Sequence, residues 1–145
     1  MSIFACTDRR RDDSSPTEDT FVKYLCLGYY DAKKFDALPK AELDAIVSRC
    51  KTHDEALRKS GRLLSVASLE SPRQAITLRP RRGEVSVTDG PFAEAKEMIG
   101  AFFVIEAKDR DEAIKVASMH PAAHLGESIG WGVEVRGIDF YDEPE

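Results

Sequence analysis

Cysteine is scarce in this chain of 145 residues. There are three, Cys6, Cys26 and Cys50, with no CxxC spacing and no even set to pair. That excludes a disulfide framework and the usual structural zinc motifs. Cys26 sits in an apolar run and Cys50 on an apolar helical face, so both read as small buried hydrophobes in a reducing compartment. No apolar run approaches the roughly 20 residues that cross a bilayer, and no charged n-region leads into an apolar h-region. The expected location is the cytoplasm, with no membrane contact. Positive charge is in deficit: 21 basic against 26 acidic side chains leave a net charge of −5. Phosphate backbones need a basic footprint, so nucleic acid is not an expected partner. A local basic stretch, Arg79-Pro80-Arg81-Arg82, reads as a solvated hairpin tip. No phosphate-cradling glycine loop, dinucleotide fingerprint or Ser-His-Asp motif is present. No cofactor is expected.

What is present is a soluble globular composition, 42% hydrophobic and 32% charged, of single-domain length. Residues 1–20 are polar, charge-dense and aperiodic, which predicts a flexible extension. The domain is expected over 21–140, with a polar tail at 141–145. FVKYLCLGYY reads as a buried strand, and Asp31 to Asp36 as a charged connection. In LPKAELDAIVSRCKTHDEALRKSGR, Leu43, Ile46, Val47, Cys50 and Leu57 share a helical face, and Gly61 suits the C′ position. His53 and Asp54 fall on or beside that stripe and read as rim positions. LLSVASLE, QAITLRP and EVSVTD are short strands whose brief connections predict two antiparallel hairpins. GAFFVIEA is a strongly apolar strand. Asp109 and Glu112 form a capping box that opens a helix over 109–120, ended by Pro121. WGVEVRGIDF is the last strand.

The order is β-α-β-β-β-β-α-β. Without the central hairpin it becomes the ferredoxin-like split βαβ arrangement, an α+β fold with both helices on one face of the sheet. The other face then needs cover, and a second copy of the chain is the expected cover. Between two strands lies VTDGPFAEAKEMIGAFF. Gly90-Pro91 forces a defined turn, Asp89 can accept turn amides, and Phe92 is expected to pin the loop to the core.

Three features in series carry a family resemblance: VTDGPFAEAKEMIGAFFVIEAKDRDEAIKVASMHP, KYLCLGYY near the start and VEVRGI near the end. Together they resemble the YCII-related family, and within it the branch named for its Asp-Gly-Pro-Phe (DGPF) motif. The match covers roughly 21–140. It implies a ferredoxin-like fold assembled as a dimeric α+β barrel, and an invaginated site carrying a His and an Asp. Families with this barrel include small isomerases, monooxygenases and dehalogenating enzymes. The branch is often encoded beside extracytoplasmic-function sigma factors. The matching positions are Asp89, Gly90, Pro91, Phe92, Glu94, Lys96 and Gly100, and His120 falls where a helix-end His-Pro occurs in the wider family.

These readings converge on two functions. One is a small cofactor-independent enzyme acting on a small anionic or aromatic substrate. Here His120 is general acid or base, favoured as the cation by its place at a helix C-terminus. Asp89 is its partner and Lys96 an electrostatic stabiliser. Tyr29, Tyr30, Phe92, Glu94 and Phe103 line the substrate cavity, with alternation sending the two tyrosines to opposite faces. The other is a non-catalytic ligand-binding or regulatory module tied to sigma-factor signalling. A metal site is not expected: Pro121 breaks the helix between His120 and His124, and no third ligand is apparent.

Overall fold

Ten residues with apolar groups on both parities, VKYLCLGYYD, make β1 (Val22–Asp31). Such a strand belongs in the middle of a sheet, with neighbours at both edges and cover on its faces. The computed structural model describes residues 20–145 and puts β1 there. The extension expected over 1–20, Thr20 apart, lies outside the described residues, as does Cys6. The other strands are β2 (Leu63–Ser68), β3 (Ile76–Arg81), β4 (Glu84–Asp89), β5 (Glu97–Ala107) and β6 (Gly132–Gly137). Helices are α1 (Ala32–Ala37), α2 (Lys40–Lys59) and α3 (Arg110–Ala117).

The main sheet runs β2-β5-β1-β6 with every neighbouring pair antiparallel. β1 and β2 therefore flank β5, and β5 and β6 flank β1. Each helical crossover skips one strand, which is the split βαβ connectivity. The fold is α+β, with this sheet, a separate two-stranded sheet of β3 and β4, and three helices.

Register sorts the apolar residues by face. Cys26 pairs with Phe103 and Val135, and Tyr24 with Ile105. That face meets Leu57 of α2 and Ala113, Val116 and Ala117 of α3 in one core cluster. Burial pushes the Cys26 thiol up to about 12, so it is inert at neutral pH. The opposite face pairs Leu25 with Val104 and Leu27 with Phe102, and all four stay only half-buried.

The hairpin β3–β4 closes through Arg82 and Gly83, at φ 53° and 80°. Two successive left-handed residues give a turn whose twist matches the strands. Leu78 pairs with Val87 and Pro80 with Val85, and Ile76 shares their side. One face of the hairpin is thus apolar, and Ile76, Leu78, Val85 and Val87 are 61–71% exposed.

Three expectations are corrected. The connection Asp31–Asp36 folds as α1, because Asp31 accepts the Lys34 N–H at 3.1 Å and caps it. β2 and β3 form no hairpin. Ser71 caps a 3-10 turn at Pro72–Gln74, which turns the chain away, and β2 pairs with β5 instead. The helix expected over 109–120 stops at Ala117, while its cap is as read: the Asp109 carboxylate accepts the Glu112 N–H at 2.8 Å.

Candidate functional site

His120 follows α3 with extended backbone, φ −67° and ψ 141°, and caps a second 3-10 turn, Pro121–Ala123. Its Nδ1 accepts the Ala122 N–H at 3.0 Å. A nitrogen that accepts is unprotonated, so the neutral ring carries its proton on Nε2. The ring lies flat on Phe103 of β5, with centroids 4.4 Å apart and planes 4° from parallel. Burial lowers the His120 pKa, and the negative charge of Asp54 on α2 opposes that. The cation expected from the helix end is thereby disfavoured. The helix has ended at Ala117, and burial of the ring is the larger influence on it.

Asp54 and His120 share a cleft of about 460 Å³. Aromatic rings form much of its wall: Tyr30, Phe35 of α1, and Trp131. Two glycines make that wall. β5 has one extra residue where its register with β1 shifts at Gly28/Tyr29. Gly100 sits in that bulge, and a Cβ there would lie 2.8 Å from the Tyr30 ring. Gly126 is left-handed at φ 72°, and a Cβ there would collide with the Trp131 indole.

All three histidines of the chain gather at this seam. His53 of α2 stacks on His124, with centroids 4.8 Å apart and planes 13° from parallel. α2 presents His53 and Asp54, and the turn presents His124 and His120. Among the described residues, no group of three or more His, Cys, Asp or Glu side chains could hold a metal ion.

The residues singled out from sequence divide. Tyr29 and Tyr30 both border the cleft. The Tyr29 hydroxyl turns to Glu134 at 3.4 Å, while the Tyr30 ring meets Phe35 edge-on at 5.6 Å. Phe103 is the fully buried shelf under His120, not a lining residue. Asp89, Phe92, Glu94 and Lys96 are absent from the lining. Asp89 ends β4 opposite Ile76. The turn after it is tied down by its backbone: Gly90 N–H to Ala75 O, and Thr77 Oγ1–H to Gly90 O, each at 2.7 Å. Phe92 does not reach the core. It is 67% exposed, with the Arg79 guanidinium 3.9 Å from its ring centroid. Glu94 and Lys96 are exposed in an irregular connection. Asp54, Phe35 and Trp131 are the residues sequence reading missed. Asp54 is exposed, like Val47, beside the enclosed line of α2 through Leu43, Ile46, Cys50, His53 and Leu57, so its sequence position marked it only as a rim residue.

The family model for the YCII-related domain matches residues 22–134. The chain belongs to the YCII-related family. An uncharacterised protein of Rhizobium meliloti (strain 1021) is 33% identical over 122 residues, which span 84% of this chain and 96% of that relative. The YCII match runs from β1 into β6. It therefore takes in the main sheet, the hairpin, Asp54 and the His120 turn.

Proposed function

We propose that the cleft of this YCII-related protein catalyses cofactor-independent proton transfer on a small carbonyl compound, as an isomerase or tautomerase does. Asp54 and His120 divide the work. The Asp54 carboxylate takes a proton from carbon next to the carbonyl. The C–H electron pair moves into the carbonyl, and the oxygen gains negative charge. His120 stabilises that oxygen with a hydrogen bond from its Nε2–H and keeps the proton. Asp54 then returns the proton to a different atom, and no redox partner is needed. The observation that carries this reading is the Nδ1 bond to Ala122, which leaves neutral His120 as a donor at Nε2. A neutral histidine held this way is an electrophile rather than a base. This reassigns the acid–base pair from His120 with Asp89 to His120 with Asp54.

The test is solvent deuterium exchange. Small ketones and keto acids are incubated with the protein in D₂O, and loss of the α-proton signal is followed by NMR. Wild type exchanges at least one probe, and Asp54→Asn and His120→Asn each slow it about 10²-fold. Exchange unaffected by both substitutions contradicts the assignment.

A homodimer belongs to the same reading, assembled as the α+β barrel of the DGPF branch. What supports it is the hairpin. A two-stranded ribbon is marginal alone in water, and this one exposes Ile76, Leu78, Val85 and Val87 on one face, with Asp89 at its end. The half-buried face of Leu25, Leu27, Phe102 and Val104 is a second surface of the same kind in the same chain. The regulatory alternative, a module working with a sigma factor, would use this surface for another protein instead.

A further inference from the structure

Beside the cleft, next in sequence to residues that line it, lies an ion pair that proton transfer does not use, Arg73 with Asp36. Two short elements carry the pair. Phe35, from α1, and Ser71, the cap of the Pro72–Gln74 turn, both line the cleft. Across them Arg73 Nη2 donates to Asp36 Oδ2 at 2.7 Å. The side chains are 79% and 51% exposed, and ion pairs this exposed add little to stability. Tyr30 stands beside the pair. Burial and the Asp36 charge push its phenol up, and Arg73 pulls it down.

Arginine carries five donors in a planar fork that fits a carboxylate. The recorded contact to Asp36 uses one nitrogen. The protein as a whole carries net charge −5, so an anionic ligand needs a fixed cation beside the site. The cleft lining holds Tyr30, Phe35 and Trp131 together with Asp54 and His120. The volume, about 460 Å³, suits a single ring with short substituents.

We propose that Arg73 is the recognition group for the carboxylate of a small aromatic acid, and that Asp36 occupies it when the cleft is empty. The ligand carboxylate displaces Asp36, its ring packs among Tyr30, Phe35 and Trp131, and its reactive carbon faces Asp54 and His120. This names a substrate class for the site and rests on the proton-transfer reading only for what happens after binding.

The probes are benzoate and its neutral isostere benzamide, titrated into the full chain and followed by amide NMR shifts. Benzoate shifts the amides around Ser71, Tyr30 and Ala122, and benzamide binds at least about tenfold more weakly. Arg73→Gln weakens benzoate about tenfold or more and leaves benzamide unchanged, as loss of a charged hydrogen bond predicts. Asp36→Asn removes the internal competitor and tightens benzoate several-fold. Opposite signs from the two halves of one ion pair are a result that mere loss of the pair does not give. The proposal is overturned if benzoate leaves those amides unmoved, if benzamide binds equally well, or if both substitutions change benzoate binding in the same direction. Benzoate binding and deuterium exchange, measured on the same protein, separate the two readings. Arg73-dependent benzoate binding without any deuterium exchange sinks proton transfer alone. Exchange of neutral ketones without benzoate selectivity sinks carboxylate recognition alone.

Discussion

β5 and the β3–β4 hairpin use the same apolar residue types and end in opposite surroundings. In β5, Phe103, Ile105 and Ala107 are completely buried. In the hairpin, Ile76, Leu78, Val85 and Val87 are more exposed than enclosed. Strand propensity is similar in both, so the difference lies in what covers them. β5 is hydrogen-bonded on both edges and roofed by α2 and α3, while the hairpin has only its own two strands. A local pattern specifies a strand and its apolar side. Whether that side is satisfied within the chain depends on helices far away in sequence.

Truncating β5 should have the largest effect. Phe103→Ala removes the most voluminous fully buried side chain and the shelf under His120. A loss of about 3–5 kcal/mol in urea unfolding is expected, with a displaced His120 ring signal. The hairpin should break differently. Leu78→Asp with Val87→Asp puts two charges where an apolar interface is proposed. Each large apolar side chain contributes roughly 1.5–3 kcal/mol on burial, so a dimer dissociation constant about 10² or more times weaker is expected in sedimentation equilibrium. The monomer's circular dichroism should be kept. A wild type that sediments as a monomer at every concentration contradicts the interface. Gly100→Ala falls between a core and a surface change: the Cβ must push the Tyr30 ring aside, at about 1–3 kcal/mol, and the cleft narrows.

The smallest effect is a pH dependence. Burial lowers the folded pKa of His120, so as pH falls below about 6.5 the unfolded chain takes up the proton first. Stability present above that value is lost as pH drops through the folded pKa. His120→Asn keeps a capping side chain and should flatten this part of the profile. An unchanged profile contradicts the burial argument.

Much of the frame was legible because the signals are local. β1 and β5 are dense in β-branched and aromatic residues, α2 carries a continuous stripe, and Asp109 announces α3. For β2 two readings competed: adjacency in sequence favoured a hairpin with β3, while the split βαβ arrangement sets β2 beside β5, and the sheet follows the second. α1 was hidden because a single Asx cap turns a charged connection into a helix. The site was half legible. His120 stood out by type and position, and the tyrosines by their place at a strand end. Asp89 was chosen because it closes a strand in the family motif and the resemblance implies a site with a His and an Asp; in the structure the turn after it is held by the Gly90 backbone, bonded to Ala75 and Thr77. Asp54 lies 66 positions before His120, and only the packing of α2 on the Pro121–Ala123 turn brings it there.

The account turns on which carboxylate faces His120. The direct measurement is an NMR pH titration of the three histidines in wild type, Asp54→Asn and Asp89→Asn. The prediction is a wild-type His120 that titrates below ordinary histidine, falls further in Asp54→Asn, and does not move in Asp89→Asn. A His120 that ignores Asp54→Asn and follows Asp89→Asn would contradict the site described here.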